Sequence, residues 1–209
     1  TQGSVKAVAP DDLETLGTSI LLSNTYHLML RPGIDLIHRQ NNLHTFMNWQ
    51  RPILTDSGGF QTFSLGRLKN MSDSGVIFRS HIDGREHFLS PELSIQYQGL
   101  LGSDIAMVLD ECSPYGLGRE ELNSAMQRTH VWARRSRDAH DSIGQSLFAV
   151  VQGGVFPELR LASAETLVSM DFDGYAIGGL SVGEPKEAMY KIASLIGSTL
   201  PEHKPRYLM

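Results

Sequence analysis

Six short apolar runs set the tightest limit on how this 209-residue chain can fold. They are Ser19 to Leu22, Pro52 to Leu54, Asp104 to Leu109, Leu147 to Val151, Tyr175 to Ile177, and Arg206 to Met209. None alternates apolar with polar residues, so each suits a strand buried on both faces. Segments with helical punctuation lie between them. Ser90-Pro91-Glu92 supplies a capping serine, a proline at the first helical position and an acid in the first turn. Arg119 to His140 carries Leu122, Met126, Val131 and Trp132 at roughly helical spacing. Pro157 to Met170 and Pro185 to Ile196 open on proline with an acid close behind. Strand and helix in alternation predict a parallel sheet with helical crossovers. Within Gly75 to Leu89, the stretch "IDGREHFL" places Asp83-Gly84 at a hairpin turn, so an antiparallel excursion is inserted there.

The ends of these strands narrow the architecture further. Five of them finish in chemically distinctive clusters: Asn24-Thr25-Tyr26-His27, Asp56-Ser57-Gly58-Gly59, Asp110-Glu111-Cys112, Gln152-Gly153-Gly154 and Gly178-Gly179-Leu180. An open doubly wound sheet gathers functional groups only near its switch point. A (β/α)8 barrel of the TIM type collects them from many strand ends on one face. The α/β barrel is therefore the expected fold class, incomplete here with about six of eight strands and an inserted antiparallel hairpin. No linker or internal repeat interrupts it, so residues 1–209 read as a single domain.

Composition excludes several classes. Hydrophobic residues make up 41% and charged residues 20%, which suits a folded chain with a sizeable core. The one cysteine, Cys112, rules out a disulfide framework and points to a reducing compartment such as the cytoplasm. No apolar stretch approaches a membrane span and no signal pattern opens the chain. The net charge of -5 runs against a surface built to wrap nucleic acid. Eight scattered histidines, with no His-x-x-x-His pair, provide no metal-ligand spacing.

Two carboxylates (Asp56, Asp110), an amide (Gln152) and backbone bared by glycine offer planar donors and acceptors. Such a set suits the hydrogen-bonding edge of a heterocycle. A carboxylate accepts two N–H bonds from a guanine-like edge, and an amide or backbone N–H donates to its carbonyl oxygen. Phe60 is placed to stack on the ring. Each piece has a plainer reading. Asp-Ser-Gly-Gly alone is a turn, and the Gly pairs at 153–154 and 178–179 serve close packing or a phosphate cradle. Glu111 and Cys112 serve as packing residues, and His27, His44 and His130 as structural or surface groups. Arg134-Arg135-x-Arg137 is by default a solvated helix face, with RNA contact as the alternative. Their joint position at strand ends is what favours a site.

The motifs "SNTYHLMLRPG", "LTDSGGFQTFSL", "GSDIAMVLDEC", "LFAVVQGG", "GYAIGGLSVGEP" and "KPRYLM", in this order, resemble those of the tRNA-guanine transglycosylases over essentially the whole chain. The resemblance implies an irregular (β/α)8 barrel that exchanges guanine at the tRNA wobble position for a queuosine-pathway base, through a covalent link between ribose and an enzyme aspartate. It assigns Asp56 as proton acceptor, with Ser57, Gly58, Gly59 and Phe60 completing the base-binding loop. Asp110 reads the base's N–H donors, Gln152 and the N–H of Gly179 donate to its carbonyl, and Leu180 and Glu184 sense its substituent. Val182 and Cys112 match the bacterial type, which implies 7-aminomethyl-7-deazaguanine rather than queuine as the incoming base. Implied partners are tRNA and a second copy of the full-length chain as a homodimer. The family's nucleophilic aspartate, its zinc ligands (three cysteines and a histidine) and its basic tRNA-holding region are expected beyond Met209. By itself, then, this chain is expected to be inactive. A non-catalytic accessory subunit of the same family is the alternative.

Overall fold

The computed structural model describes residues 2–209. Its elements run, in chain order, α1 (Pro10–Thr15), β1 (Leu21–Asn24), α2 (Thr25–Leu30), α3 (Ile34–Arg39), α4 (Leu43–Met47), β2 (Ile53–Asp56), α5 (Gly59–Ser64), β3 (Arg67–Ser72), β4 (Gly75–Arg79) and β5 (Glu86–Leu89). They continue with α6 (Pro91–Leu101), β6 (Ile105–Met107), α7 (Arg119–Ala139), β7 (Ser146–Val151), α8 (Pro157–Ser169), β8 (Gly174–Ile177), α9 (Lys186–Thr199) and β9 (Arg206–Leu208). Six strands form one sheet in the order β1-β2-β6-β7-β8-β9. Every neighbouring pair in it is parallel. Sequential order with helical crossovers is the pattern of an incomplete (β/α)8 barrel.

The strands fall on the six apolar runs, shifted by a residue or two. β1 and β2 extend into their polar clusters, so Asn24 and Asp56 pair as the last rung of the ladder. The inserted excursion is larger than a hairpin. β3, β4 and β5 make a separate antiparallel sheet, and β3 was illegible because its residues, Arg67 to Ser72, carry no apolar run. The loop joining β4 to β5 spans Ser80 to Arg85, with Gly84 at φ +72° where it turns back. The helices begin where their caps dictate. Ser90 Oγ accepts the N–H of Leu93 at 3.2 Å, and Pro91 opens α6.

The main core lies between the sheet and its helices. The buried run Leu147 to Val151 on β7 packs with Met107, Tyr175 and Ile177, against Ala164 and Leu167 of α8 and Ile192 and Ile196 of α9. Burial on both faces explains why β7 and β8 do not alternate, whereas β9, last in the sheet order, is mostly exposed and β1 leaves Leu22 exposed.

One polar knot crosses this apolar wall. The buried amide of Gln98 on α6 takes both backbone groups of Met107, its Oε1 accepting the N–H at 2.8 Å and its Nε2 donating to the carbonyl at 2.9 Å. The same Oε1 accepts from Thr55 Oγ1 at 3.0 Å on β2. One turn earlier, Ser94 Oγ donates to the carbonyl of Ser57 at 3.0 Å. A single helix face thus ties β6, β2 and the loop after β2 together, with every buried polar partner satisfied. No helix among the described residues is long and apolar enough to cross a membrane.

Candidate functional site

The carboxyl ends of β2, β6 and β8, with the chain just beyond β9, converge on one cavity of about 240 Å³. Asp56, Ser57, Gly58, Gly59, Phe60, Asp110, Gly179 and Leu180 all line it, as the sequence predicted. Gln152 stands immediately behind the wall, 4% exposed, and its Nε2 donates to Asp110 Oδ2 at 2.6 Å. Glu184 does not line this cavity. It lies under the rim loop, where its carboxylate accepts the N–H groups of Ser181 and Val182, the latter at 2.9 Å.

The paired glycines after Asp56 have separate jobs. Gly58 sits at φ +92°, and a Cβ there would lie 2.8 Å from the backbone nitrogen of Tyr26. Gly59 has an ordinary φ, but a Cβ would come within 2.6 Å of the Asp110 carbonyl oxygen. The first makes the turn and the second lets the loop close onto the neighbouring strand end. Phe60 follows on the rim, 40% exposed and edge-on to Phe63 at 5.0 Å, so one face of its ring is open to a flat ligand.

Both carboxylates are electrostatically primed. Burial pushes Asp56 up to about 6, with the Asn24 side chain pulling the other way. Burial also lifts Asp110 to about 6; Gln152 opposes the shift, and the charge of Asp56 adds to it. Asp56 Oδ1 is buried without a hydrogen-bond partner among the described residues, an unpaired acceptor beside the pocket. A buried acceptor left unpaired costs about 1–3 kcal/mol, which a ligand N–H placed there would recover. At neutral pH both groups are mostly ionised acceptors in a low-dielectric site, where a donor-rich ligand edge gains most.

Several lining residues were not in the predicted site: Gln61, Cys112, Gly178, Ser181 and Met209, with Val182 foreseen only as a size determinant. All lie within the motifs quoted above, and membership of a motif was the available signal. Burial pushes the Cys112 thiol up to about 12, so it meets a ligand as a neutral thiol. The other groups singled out in the sequence are structural, and Arg135 and Arg137 are tied down rather than left as a solvated face. Glu111 pairs with Arg128. His44 bonds the Trp49 carbonyl and Asp104, and His130 bonds Ser163. Arg135 is a staple, held by Glu92 at 2.6 Å and by backbone of the β3–β4 turn, and Arg137 donates to the Met170 carbonyl. Among the described residues, no three His, Cys, Asp or Glu side chains converge as metal ligands.

Comparison with known proteins shows the family. The family model described as queuine tRNA-ribosyltransferase matches residues 1–209. Proteins named queuine tRNA-ribosyltransferase from Pelotomaculum thermopropionicum, Thermoanaerobacter sp. and Desulforamulus reducens are 58%, 55% and 54% identical to the chain. Each alignment covers all of this chain and 56% of the relative, so the chain spans little more than half the length of these proteins.

Proposed function

The chain belongs to the queuine tRNA-ribosyltransferase family, and from that premise we propose that its cavity is the base pocket of a tRNA-guanine transglycosylase acting in queuosine biosynthesis. The observation that carries the reading is the presence of two acceptor carboxylates in one cavity, one of them bonded from behind by the Gln152 amide. Asp110 accepts the N–H groups of a guanine-type edge. The N–H of Gly179 donates to the ring carbonyl, and the Gln152 amide, one layer back, holds Asp110 in place. Phe60 stacks on the ring. To enter this cavity, a wobble base must leave its stack, as substrates of base-modifying enzymes do.

Asp56 takes the proton. When the incoming base forms its bond to the ribose carbon, the ring nitrogen that attacks must lose a proton, and the ester between ribose and the nucleophilic aspartate breaks. Asp56, with an unpaired buried oxygen and an affinity for protons tuned near 6, is suited to receive it at neutral pH. The nucleophile and the zinc ligands of the family belong, in this reading, to the part of the relatives' length outside this chain. No step here runs through the metal. The working form is a cytoplasmic homodimer that binds tRNA. Retention of Asp56, Asp110 and Gln152 in contact supports a catalytic rather than an accessory role.

The incoming base is 7-aminomethyl-7-deazaguanine rather than queuine, because branched Val182 stands on the pocket rim where a larger substituent would project. The test uses the protein at the relatives' full length, with substrate tRNA and labelled guanine. Label incorporation, and its competition by 7-aminomethyl-7-deazaguanine, are expected. Queuine should compete only after Val182→Gly. Efficient queuine incorporation by the unaltered protein would overturn the substrate assignment, and no guanine exchange at all would overturn the function.

A further inference from the structure

Arg160 is fully buried, yet it has no carboxylate partner among the described residues. It also stands in the first turn of α8, where the helix dipole disfavours a cation. Burial lowers its pKa only to about 10, so it stays charged at neutral pH. Four backbone carbonyls hold it directly, while the charge of Glu184 acts on it from beyond ion-pair distance. Its Nε donates to the Gly154 carbonyl at 2.7 Å and its Nη1 to those of Val151 at 2.7 Å and Gly178 at 2.6 Å. Its Nη2 donates to the Gly179 carbonyl at 3.0 Å. The planar fork of a guanidinium can serve such a set; an ammonium cannot serve it in the same directions.

The last two contacts have a geometric consequence. In a trans peptide unit the C=O and the following N–H point in opposite directions within one plane. Holding the Gly178 carbonyl fixes the direction of the Gly179 N–H, and holding the Gly179 carbonyl fixes that of the Leu180 N–H. Both carbonyls face α8, so both N–H groups face the cavity that Gly178, Gly179 and Leu180 line. No backbone carbonyl among the described residues takes either N–H. The Gly179 N–H instead faces the Cys112 sulfur, itself a cavity-lining atom. Glycine at 178 and 179 allows wide rotation of these planes, and Gly179 adopts φ +61°, so they take their direction from the groups that hold them.

We propose that Arg160 is a positioning residue that, from behind the wall, orients the N–H groups of Gly179 and Leu180 as a preformed donor pair for the ligand's ring carbonyl. The cation's own charge, aimed through the two peptide dipoles, strengthens the donors on the far side. The inference rests on the base-pocket reading above.

The experiment uses the full-length protein and compares guanine with 2-aminopurine, which keeps the exocyclic amine and lacks both the ring carbonyl and the N1–H that Asp110, untouched by the variant, accepts. Binding of both is measured for the unaltered protein and for Arg160→Lys, together with a thermal melt and KM and kcat for exchange. The expected result is a folded variant in which the preference for guanine over 2-aminopurine falls about tenfold, through KM for the base and with KM for tRNA unchanged. A merely structural role would weaken both ligands alike. A folded variant with an unaltered preference would overturn the inference while leaving the base-pocket reading intact. Failure of the unaltered protein to bind guanine would overturn that reading and this inference with it. Should the lysine variant not fold, amide exchange on the unaltered protein decides: guanine must slow exchange at Gly179 and Leu180 at least tenfold, and unchanged exchange at both would overturn the orientation claimed for them.

Discussion

The two sides of the cavity are built on different plans. On the β2 and β6 side the chemistry is carried by side chains: Asp56, Asp110 and the ring of Phe60 reach the ligand space themselves. On the β8 side it is carried by backbone, at Gly178, Gly179 and Leu180, and the side chains that matter stand behind the wall. Burial primes the first side by raising proton affinity. A buried cation primes the second by holding peptide planes. A side chain that does chemistry can be lost in one substitution, whereas a peptide group can be altered only through what crowds or holds it.

That contrast is broken most sharply at Asp56. Asp56→Asn in the full-length protein should lower kcat for base exchange by about 10²–10⁴-fold, the usual contribution of a positioned proton acceptor. Its melting temperature should not fall. In the unaltered protein the acid limb of the rate profile should lie near pH 6, with activity lost as Asp56 gains its proton below that value. A rate unchanged by the substitution would remove Asp56 from the reaction.

Asp110→Asn comes next. An amide has one accepting oxygen where the carboxylate has two, and an unpaired buried donor costs about 1–3 kcal/mol. Guanine affinity should drop about 10- to 100-fold, read by isothermal calorimetry. Equal affinity in the two proteins would contradict the side-chain plan of that wall.

On the backbone side, Gly179→Ala should act without removing any functional group. The residue sits at φ +61°, and the added Cβ would lie 2.2 Å from Gln152 Oε1. Displacing that amide also disturbs its 2.6 Å bond to Asp110. Strain of this kind costs on the order of 1–3 kcal/mol, and KM for the base should rise about tenfold with kcat less affected. An unchanged KM would mean that the two plans are not coupled through Gln152.

The smallest effect is on stability. Asp110 has its folded-state proton affinity raised from 3.8 to about 6. Its contribution to stability is therefore fully present below pH 3.8 and is lost as pH rises through 6, where the charged form is penalised. Asp110→Asn should melt a few degrees higher than the unaltered protein at pH 8, a gain of at most about 3 kcal/mol. The difference should vanish near pH 4. A variant less stable at pH 8 would show that the carboxylate's bond with Gln152 outweighs its burial.

The same division explains what could be read from the sequence. The inner strands of the sheet were legible because burial on both faces leaves unbroken apolar runs, and Asp56, Asp110 and Gln152 because a polar group at the end of such a run stands out. β3 was not, since a mostly exposed strand of Arg67, Lys69 and Asn70 has no apolar signature. Glu184 was expected behind Leu180, and it lies one layer back, bonding the loop that shapes the rim. Arg160 was invisible for a related reason. Its partners are carbonyls, which every residue possesses, so no spacing of residue types betrays the contact.

Gln98 carries a lesson for transplantation. Its amide supplies both hydrogen bonds that Met107 needs, reaches Thr55 on β2, and shares α6 with the Ser94 that holds the Ser57 carbonyl. Moving the strand-end loops alone onto another barrel would leave these backbone groups facing an apolar helix, and the loops would not keep their spacing. The portable unit is the two strands with the helix face that laces them. A designer seeking a new specificity in this pocket should carry Ser94 and Gln98 along as though they were part of the recognition sequence, although neither one comes into contact with the cavity.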